Sequence, residues 1–409
     1  QHLMTHIHQT ANRPNRTLLM VQKSINMTTV SSKELINLAG TLVGYKSVNP
    51  PGDEQCIADF LVDRLERSPA AFSVHRQSVR PGRSNVIARA GDPERGSLLL
   101  TGHMDVVPAA SGSWRGDPFE LRQHEDRLVG RGIADMKGAL AAKLLAAEAF
   151  LDDADTPGEV ILAFVVDEEV GGTGTVSLMS EALSPDAAII GEPTRCQIGI
   201  AEYGAIGYTL TMCGESGHSG RPDKAVNAID ALQQMLRQLN GLATEVQPQP
   251  PDLFAVGPSL NVTEIKGGSA PNVIPGEATA TLDWRLLPTD HPPAVFDTAL
   301  ETAIEAAPTH PAAEATWERT FFTAGAAVAE DAPIVTAVQQ AAHQVGLDAA
   351  PTGIHAVTDA RTLAAAGIPT VLFGPGSIHG DAHTVNESIR IDALVDVAQT
   401  YQRVLNKLL

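Results

Sequence analysis

The 409-residue chain is 43% hydrophobic and 19% charged, a folded-protein composition with room for about two to three domain-sized cores, which excludes disorder, a collagen-like fibre and a small disulfide scaffold. Its 48 acidic side chains outnumber 29 Lys and Arg, and the formal charge of −19 repels phosphate backbones and anionic lipid, which argues against nucleic-acid and membrane-surface roles. Three widely spaced cysteines, Cys56, Cys196 and Cys213, form neither a disulfide framework nor a thiolate zinc motif. With no apolar run long enough for a signal peptide or a membrane span, a cytoplasmic protein is expected.

Residues 1–26 are polar and without period, and are expected to be an extension that packs little. Ser31 followed by Glu34 forms a capping box, and Leu35, Leu38 and Leu42 predict a helix ending near Gly44. Up to about Thr194, strand and helix then alternate. Apolar runs at Leu98–Thr101, Val160–Val166 and Ala187–Ile190 predict buried parallel strands, and a helix from about Met136 to Leu151 places Leu140, Leu144, Ala147 and Leu151 on one stripe. This is α/β architecture, and a further buried strand at Thr370–Phe373 completes it from far along the chain.

The middle of the chain follows another pattern. Alternation at Gly207–Cys213, helical spacing of Ile229, Leu232, Leu236 and Leu239, a Pro- and Gln-rich loop from Gln247 to Pro251, strands at Leu260–Lys266 and Glu277–Leu287, a helix around Val295–Ala306 and a strand around Ala315–Phe322 give β-α-β-β-α-β. That order predicts a ferredoxin-like domain inserted into a discontinuous α/β domain. The expected division is 27–199 and 319–409 for the two parts of the larger domain and 200–318 for the insert.

The strand ends carry the chemistry. Leu98–Thr101 runs into His103 and Asp105, Val160–Val166 into Asp167, Glu168 and Glu169, and Ala187–Ile190 into Glu192. Thr370–Phe373 runs into Gly374-Pro375-Gly376 and then His379, Asp381 and His383. Ligands of open α/β sheets bind at these carboxyl ends, and Gly130-Arg131-Gly132 delivers Asp135 just before its helix. Imidazole mixed with carboxylate suits hard and borderline divalent cations. Charge balance points to two ions: two dications against Asp135, Glu169 and Glu192 leave one positive charge, which a bound hydroxide neutralises. Asp105 is placed to accept the second N–H of the His103 ring. Glu168 and Glu169 are neighbours facing opposite ways, so one is expected to bind metal and the other to act as base. A metal-held water near neutral pKa beside a carboxylate base describes amide hydrolysis.

Five motifs, in order, resemble the co-catalytic zinc amidohydrolases, the family of acetylornithine deacetylase, succinyl-diaminopimelate desuccinylase, aminoacylase and glutamate carboxypeptidase. They are Gly102-His103-Met104-Asp105-Val106-Val107-Pro108, Gly130 through Gly138, Asp167-Glu168-Glu169 with Gly171-Gly172, Gly191-Glu192-Pro193-Thr194, and Ala382-His383 followed by Glu387. The resemblance covers the chain from about Met27 onward. It implies a zinc-peptidase-like α/β catalytic domain whose inserted domain serves as lid and dimerisation unit. It implies two Zn²⁺ per chain, with Co²⁺ or Mn²⁺ as substitutes: Asp135 bridges, His103 and Glu192 complete one site, Glu169 and His383 the other, and Glu168 is the general acid/base. His379 is the fallback for His383. His218, in Gly217-His218-Ser219, matches a histidine that stabilises the oxyanion, in relatives from the partner subunit. Asn272 and Arg285 match lid residues that hold the substrate carboxylate. Arg361 matches a position for an acidic acyl group, with a pair to Asp359 as its structural alternative, and Gly376 lies on a loop near the substrate.

The expected function is therefore cleavage of a small N-acyl amino acid by a homodimer. A dipeptidase or carboxypeptidase of the same family is the alternative. A metal- or amino-acid-binding protein without turnover is a third reading, and a positioned base at Glu168 argues against it. No Gly-x-Gly-x-x-Gly joins the first strand to a helix, so a dinucleotide-binding fold is not supported.

Overall fold

The computed structural model describes residues 30–409 except 110, 111, 113, 156, 182, 248–251 and 289–290. The expected extension 1–26 and most of the Pro- and Gln-rich loop lie outside the described residues. A mixed sheet of nine strands forms the larger domain. Its order is Ser73–Arg80, Arg83–Ala90, Gly158–Val165, Asp92–His103, Ala187–Ile190, Thr370–Leu372, Ile198–Glu202 and Ala326–Ala327, with Pro351–Ile354 also beside Ile198–Glu202. The four strands at its centre are parallel, as their uninterrupted apolar runs predict. The outer hairpin Ser73–Ala90 joins antiparallel, and its first strand is half exposed. Such a strand carries no apolar run to reveal it.

Ser31 caps the first helix, Ser32–Gly44, its hydroxyl accepting from the Glu34 amide at 3.5 Å. The helix expected from Met136 begins instead at Gly138 and runs to Asp153, because Ile133–Lys137 makes a wider turn in which Asp135 and Met136 leave helical φ/ψ. It is buried nearly all round rather than along one stripe. One side lies on the sheet and another on the C-terminal helix Ile391–Leu408, whose own apolar face carries Leu394, Val397, Tyr401 and Leu405.

The inserted unit has the predicted β-α-β-β-α-β order: Gly204–Cys213, Ala228–Gln238, Ser259–Gly267, Glu277–Leu286, Pro293–Glu305 and Glu314–Thr323. Its antiparallel sheet is ordered Ser259–Gly267, Glu277–Leu286, Gly204–Cys213, Glu314–Thr323. It has its own core of Tyr208, Leu210, Met212, Leu232, Met235, Trp284 and Phe296. The expected boundaries at 199/200 and 318/319 fall inside strands Ile198–Glu202 and Glu314–Thr323, so we draw this unit as 204–323. Among the described residues no helix is long and apolar enough to cross a membrane.

Candidate active site

The central strand Asp92–His103 ends by delivering a fully buried imidazole. The Nδ1–H of His103 donates to the backbone carbonyl of Asp105 at 2.9 Å, which leaves Nε2 facing Asp135 Oδ1 at 3.1 Å. The Asp105 carboxylate was expected to hold that ring, yet it stands 3.7 Å from Nδ1. It accepts instead from the amides of Glu168 and Glu169, at 3.2 and 3.1 Å, and from Asn49 at 2.8 Å. The main chain of Asp105 thus orients the imidazole, and its side chain orients the Glu168-Glu169 turn.

Asp135 stands between two histidines. Its second oxygen is 3.3 Å from Nε2 of His383, which is also 3.0 Å from Glu169 Oε2. Burial opposes ionisation of Asp135, but the two rings hold its carboxyl well below the usual range. The same contacts, first with Asp135 and then with Glu169, push His383 up to about 10. The loop that presents Asp135 is pinned from below by Glu387, whose carboxylate accepts from the amides of Gly132, Ala134 and Asp135 at 2.8 to 3.1 Å and from Arg131 at 2.5 Å. Gly132 adopts φ of 82°, and a Cβ there would lie 2.5 Å from Val106.

Ligand atoms of His103, Asp135 and Glu169 lie within 4.8 Å of one another. Glu192 is buried, and its Oε1 has no hydrogen-bond partner among the described residues. A buried carboxylate oxygen left without a donor, lining the same cavity as the His383 imidazole and three more carboxylates, Asp135, Glu168 and Glu169, fits a divalent cation. His379, the fallback ligand, is exposed and packs beside His355 with ring centroids 6.0 Å apart, away from this cluster.

The cavity has a volume of about 450 Å³ and is lined by Asp135, Glu168, Glu169, Glu192 and His383 on one side and by Arg285, Phe321 and Thr323 of the inserted unit on the other. Burial, and then the charges of Glu192, Asp359 and Glu169, push the Glu168 carboxyl well above its ordinary value against the pull of His103. Arg285 reaches the cavity while paired with Asp283 at 2.7 Å. Arg361 also lines it and donates to the Thr358 carbonyl at 2.8 Å rather than to Asp359. Asp359 accepts from Thr175 at 2.5 Å through one oxygen, and its other oxygen has no partner among the described residues.

Five predicted residues do not line this cavity: His103 and Asp105, which stand against Asp135 and the Glu168-Glu169 turn, and His218, Asn272 and Gly376. His218 and Asn272 sit together on the inserted unit, His218 opposite Val273 and the Ser219 amide donating to the Asn272 carbonyl at 3.0 Å. His218 is exposed, its Nδ1 accepting from the Gly220 amide at 3.0 Å. Gly376 packs beneath the Asp135 loop, where a Cβ would come within 3.1 Å of Ala134. Residues that pattern alone did not single out include Asn49, Arg83 and Glu54, a buried group behind the Asp167-Glu168-Glu169 turn. Arg83 pairs with Glu54 and, at 2.9 Å, with Asp167. The polar types around Asn49-Pro50-Pro51-Gly52 hint at Asn49 and Glu54, but not at Arg83 on the separate strand Arg83–Ala90.

Histidine and carboxylate donors at the ends of parallel strands, facing a cavity with a raised carboxylic acid, define a metal-dependent hydrolase of amide C–N bonds. The model of peptidase family M20/M25/M40 matches residues 99–407, and the chain belongs to this family. It is similar to the acetylornithine deacetylase of Vibrio cholerae serotype O1, 32% identical over 369 residues, 87% of this chain and 92% of that protein. The N-formyl-4-amino-5-aminomethyl-2-methylpyrimidine deformylase of Halalkalibacterium halodurans is 29% identical, covering 90% of this chain and 93% of its own. Among solved structures, aminopeptidase PepT from Bacillus cereus matches with a TM-score of 0.78 at 20% identity, over 93% of this chain and 99% of that one, which shows a shared fold.

Proposed function

We propose that the chain is a cytoplasmic, homodimeric two-zinc deacylase that cleaves an N-acyl amino acid into a carboxylate and a free amine. The observation that carries this reading is Asp135 between His103 and His383, with Glu168 in the same cavity. His103 and Glu192 would hold one ion and Glu169 and His383 the other, with Asp135 shared. Co²⁺ and Mn²⁺ suit the same donors. When bound, such ions supply polarisation of the scissile carbonyl and acidification of water.

The side chains supply the rest. Glu168 takes a proton from the attacking water and returns it to the departing nitrogen, a task served by a carboxyl whose proton affinity burial has raised. Arg285 from the inserted unit and Arg361 from the larger domain, both lining the cavity, attract the substrate's own carboxylate or an acidic acyl group. His218 of a second copy, with Asn272 beside it, donates to the oxyanion. Supporting a deacylase over a peptidase, the deformylase and the acetylornithine deacetylase named above, each similar over most of this chain, are named for removal of formyl and acetyl groups. Free thiols at Cys56, Cys196 and Cys213 are consistent with the cytoplasm.

The test is amine release by zinc-loaded protein from N-acetyl, N-formyl and N-succinyl amino acids and from dipeptides. Turnover of the acyl amino acids is expected, and cleavage of dipeptides alone would overturn the deacylase reading. Glu168→Gln should lower kcat about 10²- to 10⁴-fold with metal content unchanged. Loss of metal together with activity would remove Glu168 from the acid/base role.

A further inference from the structure

We propose that Lys143 is a positioning residue for one cation position, the one formed by His103 and Glu192; the assignment rests on the two-ion reading above. Lys143 sits mid-helix in Gly138–Asp153, fully buried, and does not line the cavity. A buried ammonium is costly unless its donors are satisfied. Here its Nζ donates to the carbonyl of Thr101 and, at 3.0 Å, to that of Ile189, and lies 5.5 Å from the ring centroid of Tyr401.

Those two carbonyls locate the function. Thr101 is two residues before His103, and Ile189 is three before Glu192. The parallel ladder between their strands ends at the Thr101–Ile190 pair; past it Asp92–His103 runs on beside Gly158–Val165 as far as His103, while Ala187–Ile190 stops and its chain leads through Gly191 to Glu192. Lys143 ties the two strands together just where their mutual pairing stops, so the spacing of His103 and Glu192 is set by one ammonium group beneath them. Gly191 admits it, since a Cβ there would lie 3.0 Å from Nζ. Tyr401 adds a third strand, its hydroxyl donating to the Phe373 carbonyl. Burial pulls the Lys143 amine well below its ordinary value, and the charge of Glu192 opposes that pull. Glu169 and His383 come from other loops, and Lys143 touches neither.

The experiment is calorimetric Zn²⁺ titration of the chelator-stripped full chain, with Co²⁺ absorption spectra as a second readout. Wild type is expected to bind in two steps. Lys143→Met should weaken one step by about 10- to 100-fold and leave the other unchanged. Lys143→Gln, which keeps an N–H donor without the charge, should recover part of the loss. His383→Ala removes a ligand of the other position only, so the step it spares must be the one that Lys143→Met weakens. Equal weakening of both steps, unchanged steps, or failure of both Lys143 variants to fold would overturn the assignment alone. A single step in wild type would overturn the two-ion reading and this assignment with it.

Discussion

Glu202 closes the strand Ile198–Glu202 with a carboxyl group taken out of water. Its oxygens accept from the Thr358 amide and hydroxyl, at 3.0 and 2.5 Å, and from the Arg361 amide at 3.0 Å. Burial nevertheless pushes it up to about 8. The folded chain therefore holds this proton more tightly than the unfolded chain, and ionisation on raising the pH favours unfolding. Stability tied to Glu202 is present below its ordinary value of 4.5 and is lost as pH rises toward 8, by a few kcal/mol in all. Denaturant unfolding of wild type and Glu202→Gln between pH 5 and 8 checks this. The variant should show the flatter profile, and parallel profiles would refute it. Glu202 also marks where reading by residue type stops. His103, Glu168 and Glu192 are legible because each follows a buried apolar run. Glu202 follows a run broken by Gly199, and its importance comes from Thr358, which lies far along the chain. Asp105 is a different case: its distance along the chain from His103 suggested contact with the ring, but sequence does not say whether carboxylate or carbonyl makes it.

At the scale of elements, the loop Arg131–Asp135 and the Glu387 that holds it are one device. Three buried amides, of Gly132, Ala134 and Asp135, have a single acceptor group, and Arg131 neutralises its charge. The sequence motif contains both halves, Gly130 through Gly138 and Glu387 after His383, yet only the fold shows that the second half supports the first. The same device explains the helix start. A turn opened to present Asp135 cannot also be helical, so the helix begins at Gly138 despite favourable residues from Met136. Glu387→Ala would leave buried amides and a guanidinium without a partner, and should cost about 3 to 5 kcal/mol in chemical denaturation. Metal affinity should fall with it, because Asp135 would no longer be held between His103 and His383. A variant that keeps wild-type stability and metal affinity would show that the loop holds itself.

The whole molecule poses a question that one chain does not close. The inserted unit was legible as β-α-β-β-α-β because each strand and helix satisfies its own period, and its core is complete within 204–323. What its sequence did not reveal is an outer edge left open. Among the described residues, strand Ser259–Gly267 pairs on one side only, with Val262 and Ile265 44% and 59% exposed, and with Ile229 of the neighbouring helix 40% exposed. An unpaired apolar edge invites pairing with another chain. His218 and Asn272 are on this unit but away from the cavity of their own chain, where the proposed reaction would use an oxyanion donor. A dimer through the open edge would satisfy both observations if each copy lends His218 to the other. Complementation tests that arrangement directly. Glu168→Gln and His218→Ala should each be nearly inactive, the latter by about 10²- to 10³-fold. Mixed and allowed to exchange subunits, they form heterodimers in which the His218→Ala chain has an intact Glu168 and receives His218 from its partner. Activity should then return in the mixture, and Ile265→Glu in both chains should abolish the recovery by blocking the edge. A mixture that remains as inactive as its components, while sedimentation shows exchanged dimers, would place the oxyanion donor within the chain and leave the edge without a part in catalysis.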